Sequence, residues 1–326
     1  LTTRSGRACG ITLADAQRMH ACPTPWLVLA GVVLALVPAR SAQASACCGS
    51  SYGLGARLAS AEDGAATVMI RNSAATGSWD ADAGFRRARS LRHELRMDVA
   101  GQLRLNRYFQ VGATAPFVSS TRIGLKDADH GFGVGDAGVS GRLDVIPVGG
   151  ERGLPGVAFT LGMTLPTGRT PQDSTSRMGA DITGAGLWEV RPGVTLERSW
   201  LNGWFVVASG ALALRLPGTD ARGRWQQYQP RLNLTVAGGP TLRRSLALAV
   251  GVTHEREAAL LIDHVPVPRG ERARTSALAI AAWELSEHWT VMATSQAEVP
   301  ISRLGRNEET LVSFSVGIRR VWLDYD

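Results

Sequence analysis

From Leu91 to Leu105 the chain alternates without a break. Leu91, His93, Leu95, Met97, Val99, Gly101, Leu103 and Leu105 share one parity, and Arg92, Glu94, Arg96, Asp98, Ala100, Gln102 and Arg104 share the other. Successive side chains of a strand point to opposite faces, so a period of two over this length predicts a long strand with one apolar and one charged face. The alternation returns at 137–145, 157–165, 188–196, 206–216, 228–236, 246–252 and 312–322, and more faintly at 274–284 and 289–298. With Ala66–Asn72 and Tyr108–Ala115, these segments predict twelve strands.

The links between strands fall into two classes that take strict turns. Short ones lie near 106–107, 148–153, 199–203, 238–244 and 285–288, and long ones at 73–88, 118–133, 167–186, 217–227, 255–273 and 299–309. Short periplasmic turns alternating with long external loops are the rhythm of an up-and-down membrane barrel. An even strand number returns both ends of the barrel to the same side. Trp188, Trp200, Trp204, Trp283, Trp289 and Trp322 fall near strand ends, where interfacial aromatic girdles sit. A secreted sandwich or lipocalin-like barrel would carry the same alternation with the faces reversed, but twelve strands and loops this long exceed a lipocalin. The pattern predicts an all-β fold, a transmembrane up-and-down antiparallel β-barrel of about twelve strands in a bacterial outer membrane.

The N-terminal region reads differently. Trp26–Val37 is an unbroken apolar run followed by Ala44-Ser45-Ala46, the form of a cleaved signal peptide and too short to span a bilayer. Met19 is the expected start. The reading divides the chain into an upstream segment and signal peptide at 1–46, an N-terminal periplasmic segment at 47–63, the barrel at 64–322 and a tail at 323–326. Cleavage leaves the adjacent Cys47 and Cys48, for which a disulfide is the leading expectation in an exported protein. Lipidation of Cys47 is the rival, although Ala44 stands where a leucine is expected. A lone Cys-Cys without histidine or further cysteine makes a poor metal site.

Charge changes the picture little. The 35 Lys+Arg exceed the 28 Asp+Glu by +7, and the excess falls to +4 once the leader's four arginines and one aspartate are removed. Lys126 is the only lysine, and no basic run stands out, so no nucleic-acid partner is expected. What matters is where the charge falls. Arg92, Glu94, Arg96, Asp98, Arg104, Asp136, Arg142, Asp144, Glu189, Arg191, Glu197, Arg231, Glu298 and Arg319 lie on the polar parity and are the candidate lumen residues. They could set a local field that selects solutes, or pair with one another and fill the pore.

Enzymatic readings find less support. His93 and His254 fall on the apolar face near the external strand ends, where barrel lipases keep their histidine, but neither has a serine signature. His130 and His264 lie in loops beside Asp127, Asp129 and Asp263, a set that suits solvated loop charge as well as a metal. No metal or cofactor is expected. The expected partners are membrane lipid, a small solute and the barrel-assembly machinery. Ser315-Val-Gly-Ile-Arg-Arg-Val-Trp322 resembles the C-terminal recognition signal of outer-membrane barrels. Arg320 replaces the usual apolar residue there, on the apolar face, and is expected at the membrane–water interface.

Gly131-Phe-Gly-Val-Gly135 opens a strand rather than a helix, so it is not a phosphate-cradling loop; glycines there allow close backbone approach. Gly133-Val-Gly-Asp136 at the start of one strand and Pro166-Thr-Gly168 at the end of the next resemble the outer-membrane family named for the MetA pathway of phenol degradation. The resemblance covers the layout of residues 90–322 and rests on these two motifs. It implies a barrel that passes small, often hydrophobic compounds, and hence passive diffusion of such a solute. A lipid-modifying enzyme at the rim and a closed structural barrel remain the alternatives.

Overall fold

The structure, a computed structural model, describes residues 57–323 apart from 89, 125, 149–153, 220–222, 243–244, 300 and 302–303. The expected leader at 1–46, Cys47, Cys48 and the last three residues lie outside the described residues. Twelve antiparallel strands make the barrel: β1 (Glu62–Trp79), β2 (Leu91–Arg104), β3 (Phe109–Ile123), β4 (Ala137–Ile146), β5 (Gly156–Leu165), β6 (Glu189–Ser199), β7 (Trp204–Arg215), β8 (Arg231–Leu242), β9 (Leu246–Glu257), β10 (Arg272–Ser286), β11 (Trp289–Glu298) and β12 (Glu309–Leu323). Each pairs with the next in sequence, and β12 returns to β1 in a register running from Glu62↔Leu323 to Ser78↔Glu309. Closure leaves the barrel without an edge, so every strand can satisfy its backbone groups inside a bilayer.

The faces are those of a membrane protein. Val250 is 71% exposed and Leu103 60%, whereas Thr253 and Arg319 on the inward parity are 2% and 6% exposed. A soluble barrel would bury the first pair and expose the second. The outward apolar column on a closed sheet therefore makes this a transmembrane β-barrel. Trp200, Trp204, Trp289 and Trp322 are all exposed at the end with short links, the periplasmic end.

Four of the expected long links need correction, and in 73–88 β1 runs on to Trp79 while Phe85–Arg87 pairs back onto Gly77–Trp79. The stretch 118–133 is not a loop. β3 continues to Ile123, and Ala128–Val134 returns along it in register from Phe117↔Val134 to Ile123↔Ala128. The β3 partner then changes to β4, which pairs with Phe109–Thr114. The hairpin escaped the periodicity because Ser119 and Thr121 break the outward apolar column of β3 between Phe117 and Ile123. Likewise, 217–227 and 255–273 contain a small external sheet of residues 218–219, 225–227, 261–262 and 265–266. β1, expected over Ala66–Asn72, has 18 residues, its ends masked in sequence by irregularities at Glu62/Gly64 and Ala75/Gly77.

Candidate functional site: the barrel lumen

The inward parity of β6–β10 builds a continuous belt of ion pairs near the external end of the lumen. Arg191 donates to Glu189 two residues away on β6. Arg215 of β7 donates to Glu189 at 2.9 Å and to Glu257 of β9 at 2.9 Å. Arg231 of β8 donates to the other oxygen of Glu257 at 3.0 Å and lies 3.6 Å from Glu255. Arg274 of β10 completes the row with a 2.8 Å bond to Glu255. Each shared carboxylate bridges two arginines from different strands, so the charges hold one another and stitch the wall together.

The opposite wall and the periplasmic end are held by separate pairs. Arg96 donates to Asp98 at 2.7 Å on β2, and Arg92 reaches Glu309 on β12. Deeper, Arg142 and Asp144 of β4 bond at 2.9 Å, and Gln110 donates to the second Asp144 oxygen. Arg319 makes a two-pronged contact with Glu62 at 3.0 and 2.5 Å across the β1–β12 seam.

The segment before β1 crosses this end. Arg57 donates to Glu197 of β6 at 2.8 Å, on the far side from β1. The Leu58 N–H donates to Gln110, while the Leu58 and Ala59 carbonyls accept from Arg104. Leu58 itself is buried against Ala65 and Val321. Residues 57–59 therefore narrow the periplasmic mouth.

The external mouth is narrowed by the long link after β5. Arg122, facing inward on β3, donates to the Met178 carbonyl, and Asp129 accepts from Ser176 and the Met178 N–H. A Cβ at Gly131 would stand 2.4 Å from the Ala180 carbonyl, so only glycine lets the link lie flat on the wall. Asp181 is buried in the link. Its carboxyl is held well below the usual carboxylate range, first by the Ser174 hydroxyl and then by the Thr175 N–H, with Arg169 also contributing.

The two motifs that carried the family resemblance meet here. Asp136 accepts the Gly168 N–H at 2.9 Å and the Ala185 N–H at 2.6 Å, and Thr167 donates to the Gly135 carbonyl at 2.8 Å. Asp136 borders the cavity, but both of its oxygens are engaged with backbone. Its visible work is to tie the β3–β4 and β5–β6 links together.

Between the two mouths lies a cavity of about 690 Å3. Of the sequence-nominated residues, Arg92, Glu94, Arg96, Asp98, Asp136, Arg142, Glu189, Arg191, Glu197, Arg231 and Glu298 line it; Arg104, Asp144 and Arg319 do not and hold the strap and the seam. Arg215 and Arg274 line it without having been nominated, and Glu255 and Glu257 back them. Arg215 was legible as the inward neighbour of Leu214 and Leu216. Glu255 and Glu257 were hidden because β9 runs on into what read as a loop. Met69, Leu278, Ile280 and Met292 give the cavity apolar patches among the charges.

The remaining candidates are accounted for locally. His254 bonds Thr275 at 2.9 Å, and His93 lies opposite Thr121 on β3, seven strands away in chain order. His130 bonds Thr121 at 3.1 Å, and His264 stacks on Trp225 with centroids 4.1 Å apart.

No family model and no curated protein matches the chain. Among solved structures, an outer-membrane channel from Pseudomonas putida F1 superimposes with a TM-score of 0.68 at 12% identity, covering 84% of this chain and 100% of that one. The translocator domain of the autotransporter NalP from Neisseria meningitidis gives 0.47 at 12% identity, covering 80% of this chain and 88% of that one. The first of these likenesses establishes the shared barrel architecture.

Proposed function

We propose that the protein is a passive outer-membrane channel for a small amphiphilic solute. The observation that carries this reading is the lumenal cavity, bounded by charges most of which pair with one another and interrupted by apolar patches. Its volume falls within the roughly 300–1,000 Å3 of small-molecule sites. The superimposed Pseudomonas protein is itself described as a channel, which supports the same reading.

The charge balance argues against a strongly ion-selective pore. Nine arginines and six carboxylates line the cavity among the described residues. Glu255 and Glu257, set behind them, bring the acids to eight, which leaves a small positive excess. Paired charges fix a local field without a large net potential. A solute with a polar head and a compact apolar body can use both kinds of wall. The belt arginines are proposed to orient the head, and Met69, Leu278, Ile280 and Met292 to accept the body.

The test is planar-bilayer recording and liposome uptake with the purified barrel. Small, weakly anion-preferring conductance is expected, and Glu257→Gln should raise the anion preference by freeing Arg215 and Arg231. Absence of both conductance and uptake would assign the barrel a closed structural role.

A further inference from the structure

Arg319 and Arg320 are adjacent, yet only Arg319 is spent on a carboxylate. Arg320 lies on the lipid face at the periplasmic end of β12, opposite Trp289 on β11 and Ala66 on β1. Its guanidinium carbon stands 5.6 Å from the Trp289 ring centroid and 5.6 Å from that of Trp322. The cation rests against both tryptophan rings, and none of its N–H donors meets an acceptor among the described residues. No ion pair to Arg320 occurs among the described residues. The arrangement recurs on β6, where Arg198 lies 5.2 Å over Trp200, also outward and periplasmic. Every other arginine of the closure seam points inward.

A cation fixed at this depth with free donors in one plane fits a bidentate oxyanion. The periplasmic end of an outer-membrane barrel lies in the inner leaflet, whose lipids are glycerophospholipids. Their phosphodiesters sit at the level of the aromatic girdle. Toward the membrane centre the next row is Ile318 flanked by Val68 and Val291, an apolar floor for an acyl chain. We propose that Arg320, held between Trp289 and Trp322, binds the phosphodiester of one inner-leaflet glycerophospholipid whose chain lies along Ile318, Val68 and Val291. The site is independent of what crosses the lumen.

Native mass spectrometry of the full barrel in mild detergent, titrated with phosphatidylglycerol and with chain-matched diacylglycerol, tests this. At a fixed lipid concentration Arg320→Gln should retain one phosphatidylglycerol fewer than wild type. The diacylglycerol count should not change, and neither should binding by Arg86→Gln at the external surface. Equal phosphatidylglycerol retention by wild type and Arg320→Gln would overturn the proposal, as would diacylglycerol binding as tightly as the phospholipid. If Arg320→Gln does not assemble, Trp289→Leu and Arg320→Lys take its place, each expected to weaken phosphatidylglycerol binding about threefold or more. A variant that assembles poorly but binds phosphatidylglycerol like wild type would assign Arg320 to assembly and overturn the site.

Discussion

The inner and outer faces of this barrel use the same side chain in opposite ways. Inside, arginines reach carboxylates at hydrogen-bond distance, and the shared acids Glu255 and Glu257 each serve two of them. Outside, at the periplasmic rim, Arg198 and Arg320 lie against tryptophan rings. The contrast is sharpest where it is one residue wide, at Arg319 and Arg320. It shows that the environment, set by strand parity, decides whether a guanidinium becomes part of the wall or remains available to the surroundings.

The largest expected effect comes from breaking the inner partner. Glu62→Ala strands Arg319 in a buried site, and removing one member of such a pair costs about 3–5 kcal/mol. Arg320→Gln, on the exposed face, should stay within about 1 kcal/mol. Urea unfolding in lipid vesicles, followed by tryptophan fluorescence, measures both. Comparable losses for the two variants would erase the distinction drawn between the faces.

A smaller effect is expected at the knot that joins the two external links. A Cβ at Gly184 would stand 2.2 Å from Asp136 Oδ1, so Gly184→Ala must displace the carboxylate that holds Gly168 and Ala185. Overpacking of this kind costs about 1–3 kcal/mol. The barrel should still form, with the 166–188 link cut several-fold faster by external trypsin at Arg169 and Arg177. Unchanged cleavage would mean that the knot does not restrain the link.

The smallest effect concerns pH. Asp181 titrates below its ordinary value of 3.8, so its hydrogen bonds stabilise the folded link above that pH. The stabilisation fades as pH falls through the depressed folded value. Amide exchange at Thr175, whose N–H donates to Asp181, should therefore stay slow from pH 7 down to about 4 and accelerate below it. Asp181→Asn should exchange faster at neutral pH and lose most of that dependence. A rate that follows only intrinsic amide chemistry in both proteins would remove Asp181 from the role.

Much of the wall was legible in advance. Twelve strands, the alternation of short and long links and the inward parity of Arg92 through Arg104 all follow from a period of two. The hairpin of 118–134 was not legible, because Ser119 and Thr121 interrupt the outward apolar column and the glycines of 131–135 leave no alternation to read. The full belt was hidden for a related reason. Its acids Glu255 and Glu257 lie where β9 leaves the hydrocarbon and the apolar signal stops.

By itself, then, the sequence determined which side chains face lipid and which face the lumen. Strand geometry forces that parity, and burial of the apolar column in a bilayer makes the wrong face costly. Only the tertiary structure decided the partners. Which acid meets which arginine depends on register between strands. The meeting of Arg57 with Glu197, and of Asp136 with Gly168, depends on links folding back into a closed barrel. Parity is a local property of one chain segment, whereas register and closure exist only once distant segments have met.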